Sequence, residues 1–289
     1  MPYGGDGVGG GPGSARQGPD PNMEMIFSDS EKRHIQNGER VMVDLEVEDG
    51  VAVLTIDRPQ ARNAIAPETM DQLDTAIDAA AGARVLVVRG AGERAFVSGG
   101  DLKQLATIRT EEGAAQMAWR MRGICDRLAA FPAPVIAALN GHALGGGAEF
   151  AVAADIRIAA DDITIGFNQV ALAIMPAWGG AERLAALVGR GRAMMLAGSG
   201  AILTAAQAEQ AGLIDRVVPR ASFDQDWRAL AASMANPASV PIKQVVCGAT
   251  PQHAVESFAH LWVSDAHWEA ADRVLNRASR RAAADPARA

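Results

Sequence analysis

Residues 134–150 read PVIAALNGHALGGGAEF, and this run gives the strongest indication of how the chain is built. Its first six residues are all apolar, which is typical of a short strand buried on both faces of a parallel sheet. Three glycines follow at 145–147, and a helix is predicted over 146–154. Because open α/β sheets bind ligands beyond the carboxyl ends of their strands, the glycine loop is a candidate site.

Strands and helices alternate on both sides of this run. Residues 41–47 and 51–56 are predicted to form two strands joined by a hairpin turn at Asp49-Gly50. Short strands alternating with helices imply crossover connections and a largely parallel α/β core. The other predicted elements are strands at 85–88, 156–159 and, as the one strand of the last third, 214–218, with helices near 70–77, 113–130, 182–187, 190–196, 205–211, 223–234 and 254–277.

The composition excludes several classes of protein and partner. The 289 residues carry a formal net charge of −7, which argues against nucleic acid or an anionic membrane as the main partner. No apolar run approaches the ~20 residues of a spanning helix. Two cysteines are too few for a disulfide framework or a zinc cluster, and their scarcity predicts a cytoplasmic protein. None of the five histidines lies four residues from another, so no metal site is predicted.

The two ends of the chain differ in composition from its middle. Residues 1–22 are rich in glycine and proline and poor in apolar side chains, so they are predicted to form a disordered tail rather than a secretory signal. Order is predicted to begin at Val41, with an α/β core over 41–219 and a helical region over 220–289.

Two loops that contain glycine are the places where chemistry is predicted. The first is 95–102 (AFVSGGDL) and the second is 140–149 (NGHALGGGAE). Glycine is justified where a ligand approaches the main chain closely or where φ is positive, and the free N–H groups at a helix start are suited to hold an oxyanion. The alternative is that the glycines at 145–147 only allow a helix to pack tightly on a strand.

Glu149 lies one turn after these glycines in an otherwise apolar stretch. A buried carboxylate is costly unless it is paired or functional, and burial raises its pKa towards the range useful for general acid/base catalysis. The other interpretation is a carboxylate that complements the dipole at the helix N-terminus. The local sequence leaves both interpretations open.

The two loops and the segments around them resemble the crotonase family, the enoyl-CoA hydratase/isomerase superfamily. The resemblance runs from about Val51 to Pro219 and implies a spiral of ββα units with a helical C-terminal trimerisation region. It further implies an acyl-CoA substrate, a homotrimer or a dimer of trimers, and no cofactor, since CoA is part of the substrate. The segments that carry it are, in order, IDRP at 56–59, Asn63-Ala64, Ala95-Phe96, GGDL at 99–102, PVIAA at 134–138, GHALGGG at 141–147, ADIRIA at 154–159, Pro176, Gly179-Gly180, Arg183-Leu184, AGL at 211–213 and VVP at 217–219.

The resemblance assigns roles residue by residue. The amides of Ser98 and Gly146 would form an oxyanion hole for a thioester enolate. Glu149 matches the first catalytic glutamate of the hydratases, whereas Gln169 occupies the position of the second. The acyl-CoA would contact residues of the two loops, of the loop over its adenine end and of a later segment, namely Gly99, Gly100, Asp101, Leu102, Gly145, Ala61, Arg62 and Trp178.

The glutamine at 169 leaves the reaction open. A glutamine can orient a water molecule but cannot exchange a proton at neutral pH, so efficient hydration is not expected with Glu149 as the single acid/base. Moving a double bond needs one proton carrier, and so does decarboxylation or C–C cleavage of a malonyl-type thioester. A non-catalytic CoA-ester-binding or scaffold protein is the interpretation from another class. Trp178, bulkier than the residue common there in hydratases, either shortens the acyl pocket or packs beneath it.

Overall fold

The computed structural model describes residues 35–36 and 39–284, with side chains over 41–276, so the predicted tail at 1–22 lies outside the described residues. The strands are β1 (Ile35–Gln36), β2 (Glu39–Arg40), β3 (Val43–Glu48), β4 (Val51–Ile56), β5 (Val85–Gly90), β6 (Ala95–Val97), β7 (Val135–Leu139), β8 (His142–Leu144), β9 (Ile156–Ala160), β10 (Thr164–Gly166), β11 (Ile202–Thr204) and β12 (Arg216–Val218). In the unit that ends at Val41, β1 pairs antiparallel with β2. The elements from β3 onward belong to the unit that begins at Met42.

Helices are interspersed with the strands up to β12, and the described residues after β12 form only helices and turns. They are α1 (Pro67–Ala79), α2 (Leu102–Leu105), α3 (Glu111–Ala129), α4 (Gly146–Ala151), α5 (Gly180–Val188), α6 (Arg190–Ser199), α7 (Ala205–Gln210), α8 (Phe223–Met234), α9 (Ser239–Val246), α10 (Pro251–Trp262) and α11 (Asp265–Ala284). Short 3₁₀ turns lie at Pro59–Ala61, Asn168–Leu172 and Arg220–Ser222. Within the described part, no helix combines the length and the apolar character needed to cross a membrane.

The larger sheet has six strands in the spatial order β12-β9-β7-β5-β4-β3. β3 and β4 form the predicted antiparallel hairpin, and its turn residues Asp49 and Gly50 both have positive φ, 51° and 82°. Such a turn matches the right-handed twist of the strands it joins. The other neighbours are parallel, and β7 is buried at every position, as a strand covered on both faces must be. The predicted hairpin and parallel α/β core are confirmed.

A second sheet of four strands brings the two glycine loops together. Its order is β11-β10-β8-β6, and β6 runs parallel to β8 with Ala95 opposite His142 and Val97 opposite Ala143. The loops that leave the carboxyl ends of β6 and β8 therefore emerge at the same edge of this sheet. β6, β8, β10 and β11 were not predicted from the sequence, because runs of three residues carry too little periodicity to stand out.

The C-terminal third departs from the prediction in two places. The prediction of a single helix over 254–277 is wrong, because the helix is interrupted between α10 and α11. At the interruption, Ser264 Oγ accepts a hydrogen bond from the His267 amide at 3.2 Å and caps the second helix. The prediction of a single strand in the last third of the chain is also wrong, since β11 (Ile202–Thr204) precedes β12 there. The predicted division between a core over 41–219 and a helical region over 220–289 stays a prediction.

Candidate active site

The two glycine loops lie side by side. A Cβ built on Gly99 would lie 3.4 Å from the amide nitrogen of Gly146 and 3.6 Å from the carbonyl oxygen of Leu144. Gly99 and Gly145 have positive φ values of 96° and 57°, a conformation that favours glycine. Ser98 directly precedes Gly99, so the backbone of both predicted oxyanion-hole residues lies in this contact region.

The three glycines of the second loop serve different purposes. The amide of Gly145 donates a hydrogen bond to the carbonyl of Gly166 at 2.8 Å and ties the loop to β10. A Cβ on Gly147 would lie only 2.6 Å from the carbonyl carbon of Val97, so tight packing of α4 on β6 requires this glycine. Gly146 is the first residue of α4, where an amide has no intrahelical carbonyl to bond.

Glu149 is buried, with 2% of its surface exposed, and both its carboxylate oxygens accept hydrogen bonds. Oε2 accepts from the amides of Trp178 at 2.7 Å and Gly180 at 3.1 Å. Oε1 accepts from Nε2 of Gln169 at 2.8 Å. A Cβ on Gly180 would lie 2.7 Å from the Cβ of Glu149, so only a glycine lets this amide approach the carboxylate.

Burial raises the pKa of Glu149 above the usual glutamate value. The hydrogen bonds from the Trp178 and Gly180 amides and from Gln169 act in the opposite direction, but they do not offset the burial. The carboxylate bonds to a distant loop rather than to the first turn of its own helix. This arrangement favours an acid/base role over a simple complement to the helix dipole.

Gln169 meets Glu149 through its amide nitrogen only. The residue lies in the 3₁₀ turn Asn168–Leu172 and is 7% exposed. Its Oε1 atom is buried and has no hydrogen-bond partner among the described residues. A buried oxygen without a partner costs free energy, so Oε1 is an acceptor that the described part of the chain leaves unsatisfied.

Asp101 is engaged by the protein itself. Its carboxylate accepts a hydrogen bond from Nη2 of Arg58 at 2.8 Å and caps α2 by accepting from the amides of Lys103 and Gln104. Arg58 is buried and also donates to the carbonyl of Ala64. The pair therefore joins the first glycine loop to the loop at 58–64.

Asp101→Asn should destabilise the protein by about 1.5–3 kcal/mol at neutral pH, the usual contribution of a hydrogen bond to a charged group. Burial raises the pKa of Asp101, but the hydrogen bonds from Arg58 and Gln104 outweigh it and leave the pKa below its usual value. The ionised form therefore adds stability above the unfolded-state pKa of 3.8, and that stability is lost as the pH falls through the folded-state pKa. Urea unfolding at neutral and acidic pH measures the difference.

The matched control for this prediction is Asp71→Asn. Asp71 pairs with Arg120 on the surface, where an ion pair contributes ~0–1 kcal/mol. A loss for Asp101→Asn that equals the control, or that persists unchanged at acidic pH, would contradict a stabilising role for the Arg58 pair.

The remaining predicted contact residues lie at different depths. Gly100 is half-buried, and Leu102 at the start of α2 has 62% of its surface exposed. Ala61 closes the 3₁₀ turn Pro59–Ala61, and Arg62 lines a cleft of about 420 Å³. The hydrogen bonds described for the Glu149 carboxylate come from Gln169, Trp178 and Gly180, and not from Ala61 or Arg62. Among the described side chains, no group of three or more His, Cys, Asp or Glu residues could hold a metal ion.

Comparison with known proteins identifies the family. The sequence model of the family described as enoyl-CoA hydratase/isomerase matches residues 46–256, most of the chain. The chain belongs to this family. A probable enoyl-CoA hydratase of Bacillus subtilis is 36% identical over 197 residues, 67% of this chain and 76% of that protein. A short-chain-enoyl-CoA hydratase of Clostridium acetobutylicum is 37% identical over 207 residues, 69% and 77% of the two chains.

Solved structures agree with the sequence relatives. The crystal structure of an enoyl-CoA hydratase from Bacillus anthracis superposes with a TM-score of 0.76 and 28% identity, covering 82% of this chain and 97% of that chain. The crotonase-type α/β fold is therefore confirmed, as is an enzyme of the enoyl-CoA hydratase/isomerase type that acts on acyl-CoA. The roles of individual residues stay predictions.

Sequence reasoning missed the backbone partners of the candidate site. The amides of Trp178 and Gly180 hold Glu149, yet a backbone N–H leaves no trace in residue type. The Gly179-Gly180 pair was the available signal, because a glycine pair between predicted elements indicates a close backbone approach. The ion pair of Arg58 was also missed, because Arg58 lies beside the charged Asp57 and its partner Asp101 is 43 positions away in the sequence, so no local signal marks it.

Proposed function

We propose that this member of the family works through a thioester enolate, with Glu149 as its single acid/base and the amides of Ser98 and Gly146 as its oxyanion hole. Its main reaction is proton transfer on the acyl group, which moves a double bond, rather than addition of water. The observation that carries the proposal is the neutral amide of Gln169, which bonds to Glu149 at 2.8 Å where hydration would benefit from a second carboxylate.

The hydrogen bonds of Glu149 indicate which oxygen carries the proton. Oε2 accepts two N–H groups, so both of its lone pairs are engaged. Oε1 accepts from the Gln169 amide and is less fully engaged than Oε2. In the proposed reaction Oε1 removes a proton from C2 of a β,γ-unsaturated thioester and the charge moves to the thioester oxygen. The proton then returns to C4, which gives the α,β-unsaturated product with atoms and charge in balance.

The oxyanion hole stabilises the charge that develops on the thioester oxygen. Main-chain amides that are already oriented at that oxygen need no reorganisation during the reaction, and one such donor typically contributes about 10²–10³-fold in rate. The short distance between the Gly99 and Gly146 backbones supports this role.

The proposed reaction calls for no cofactor, because CoA is part of the substrate. The scarcity of cysteine supports the cytoplasm as the compartment of the protein.

Decarboxylation of a malonyl-type thioester is the second candidate, and the neutral Gln169 also favours it. A glutamate at this position would repel the substrate carboxylate, whereas an amide does not. The bond from C2 to the carboxylate breaks and CO₂ leaves, which gives a thioester enolate in the same oxyanion hole, and a protonated Glu149 then delivers its proton to C2. The raised pKa of Glu149 increases the protonated fraction that this reaction needs.

Mass spectrometry in D₂O separates these reactions. The purified protein is incubated with crotonyl-CoA, a β,γ-enoyl-CoA or methylmalonyl-CoA, and isomerisation is expected as deuterium uptake without added water. Loss of CO₂ identifies the decarboxylase, and fast gain of one water would contradict the proposed preference. Binding of the thioesters without any change would support the non-catalytic interpretation.

Gln169→Glu should raise the rate of crotonyl-CoA hydration at least tenfold, since a positioned acid/base typically contributes 10²–10⁴-fold. The new carboxylate would lie beside Glu149, and the repulsion between two adjacent carboxylates raises the pKa at which the pair takes up a proton. Gln169→Leu is the matched control, because it removes the amide without adding a proton carrier. An unchanged hydration rate in Gln169→Glu would show that a missing acid/base does not limit hydration.

We also propose that the protein assembles as a homotrimer or a dimer of trimers through its C-terminal helices. α9 and α10 border an apolar groove of about 360 Å³, and several large apolar side chains that line it are exposed in the single chain: Ile242, Val245, Val246 and Phe258. Exposed apolar surface of this kind marks interaction sites. Light scattering on the eluted protein tests the assembly, and a monomer at micromolar concentration would overturn it.

A further inference from the structure

The side chain of Trp178 stands in the space between the two glycine loops. A Cβ built on Gly146 would lie 2.9 Å from Cε3 of the indole and still closer to Cζ3 and Cη2. These distances are shorter than van der Waals contact, so the ring packs directly on Gly146. A Cβ built on Gly100 would lie 3.9 Å from Cζ2 of the same ring. The ring therefore rests on Gly146 and reaches towards Gly100, with only 7% of the residue exposed.

The backbone of Trp178 is held on both sides. Its amide donates to Oε2 of Glu149 at 2.7 Å, and its carbonyl accepts a hydrogen bond from Nη1 of Arg183 at 3.1 Å. Arg183 is itself paired with Asp126 on α3. Gly179 follows with a φ of 87°, and a Cβ there would meet Arg183. Because the amide and the carbonyl of Trp178 are both hydrogen-bonded, this loop holds the indole where it forms a wall beside Gly146.

We propose that Trp178 limits the acyl group to short chains. This inference rests on the proposed function, which places the thioester carbon beside Gly146 and the reacting carbons beside Glu149. Trp178 contacts Gly146 through its ring and Glu149 through its amide, so the acyl chain must extend past Trp178. The indole occupies the space into which the chain would extend. A residue smaller than tryptophan would leave it open.

Trp178 combines two separable roles. The amide that holds Glu149 belongs to the backbone and survives any substitution except proline. The indole alone forms the wall. Truncation of the side chain is therefore expected to change chain-length preference while leaving the Glu149 hydrogen bond in place.

The test compares wild type with Trp178→Ala and Trp178→Leu, using saturated acetyl-, butyryl-, octanoyl- and decanoyl-CoA in calorimetric binding. Wild type should bind octanoyl-CoA at least tenfold more weakly than butyryl-CoA, and both variants should remove that difference. Trp119→Ala is the matched control, since Trp119 lies on α3 with 69% of its surface exposed and should leave the profile unchanged. The leucine variant keeps the test decisive if alanine leaves too large a cavity for the protein to fold.

The outcomes separate this inference from the proposed function. Equal affinity of wild type for butyryl-CoA and octanoyl-CoA, or a profile that Trp178→Leu leaves unchanged, would overturn the role of Trp178. Deuterium exchange at C2 of bound butyryl-CoA tests the enolate independently. Exchange without chain-length selectivity would support the proposed function and contradict the role of Trp178. Selectivity without exchange would support the role of Trp178 and contradict the proposed function.

Discussion

Glu149→Gln should lower the rate of deuterium exchange into a bound acyl-CoA by about 10²–10⁴-fold, because glutamine cannot accept the proton. The fold should persist. The carbonyl oxygen of the new amide can accept from Trp178 and Gly180, and the Gln169 amide can rotate so that its oxygen accepts from the new NH₂ group. Exchange is followed by mass spectrometry, and binding of butyryl-CoA should remain close to wild type.

The same variant makes a prediction about stability. Since burial raises the folded-state pKa of Glu149, its contribution to stability is complete below the unfolded-state pKa of 4.5 and is lost as the pH rises through the folded-state pKa. Glu149→Gln should therefore melt at a higher temperature than wild type at neutral pH, and the two should converge below pH 4.5. Calorimetry across this range measures the effect.

Glu182→Gln is the matched control for both experiments. Glu182 lies on α5 with an exposed side chain, and it pairs with Arg122 rather than with Glu149 or a residue of the two glycine loops. It should leave the exchange rate unchanged. An exchange rate in Glu149→Gln within tenfold of wild type would refute the acid/base assignment, whereas a melting temperature that falls at neutral pH would refute the cost assigned to the buried charge.

Gly146→Val should abolish measurable turnover. The new side chain would share the space of the Trp178 indole and stand beside the amide that is proposed to bind the oxyanion. Loss of one such donor typically costs about 10²–10³-fold, and displacement of the ring adds to it. Turnover and circular dichroism are measured together, because the strand and helix content should be retained.

Gly123→Val is the control for this substitution. Gly123 lies within α3, and a Cβ there meets no other atom within 4 Å, so turnover should be unaffected. A double variant adds a sharper check. Gly146→Ala should cost less stability in a Trp178→Ala background, since the ring that the new methyl group meets is gone. Additive costs would mean that the two positions are not in contact.

The sequence predicted the larger elements well because their signals are long. The β3–β4 hairpin follows from alternating residues around Asp49-Gly50, and the buried β7 follows from its apolar run. The break between α10 and α11 was missed because apolar residues at helical spacing continue across Ser264, and only a side-chain cap marks the new start.

The candidate site was predictable in part for a similar reason. Glu149 stands out as a carboxylate in an otherwise apolar stretch, whereas Gln169, twenty positions later, was found only through the family resemblance. Their relation is tertiary, since the amide group and the carboxylate meet only when β10 and the 3₁₀ turn after it fold beside α4. The location of the Trp178 ring could not be inferred, because a tryptophan suits a pocket wall and a packed core equally well.

The order of strands in the larger sheet bears on how the chain is made. From β3 to β12 every strand is added at the same growing edge, in the order in which the ribosome delivers it. A nascent chain can therefore extend the sheet one strand at a time, without opening pairs that have already formed. The last strand, Arg216–Val218, completes the sheet only when about three quarters of the polypeptide has been synthesised, so until then the unfinished edge is the part that is open to mispairing with other chains.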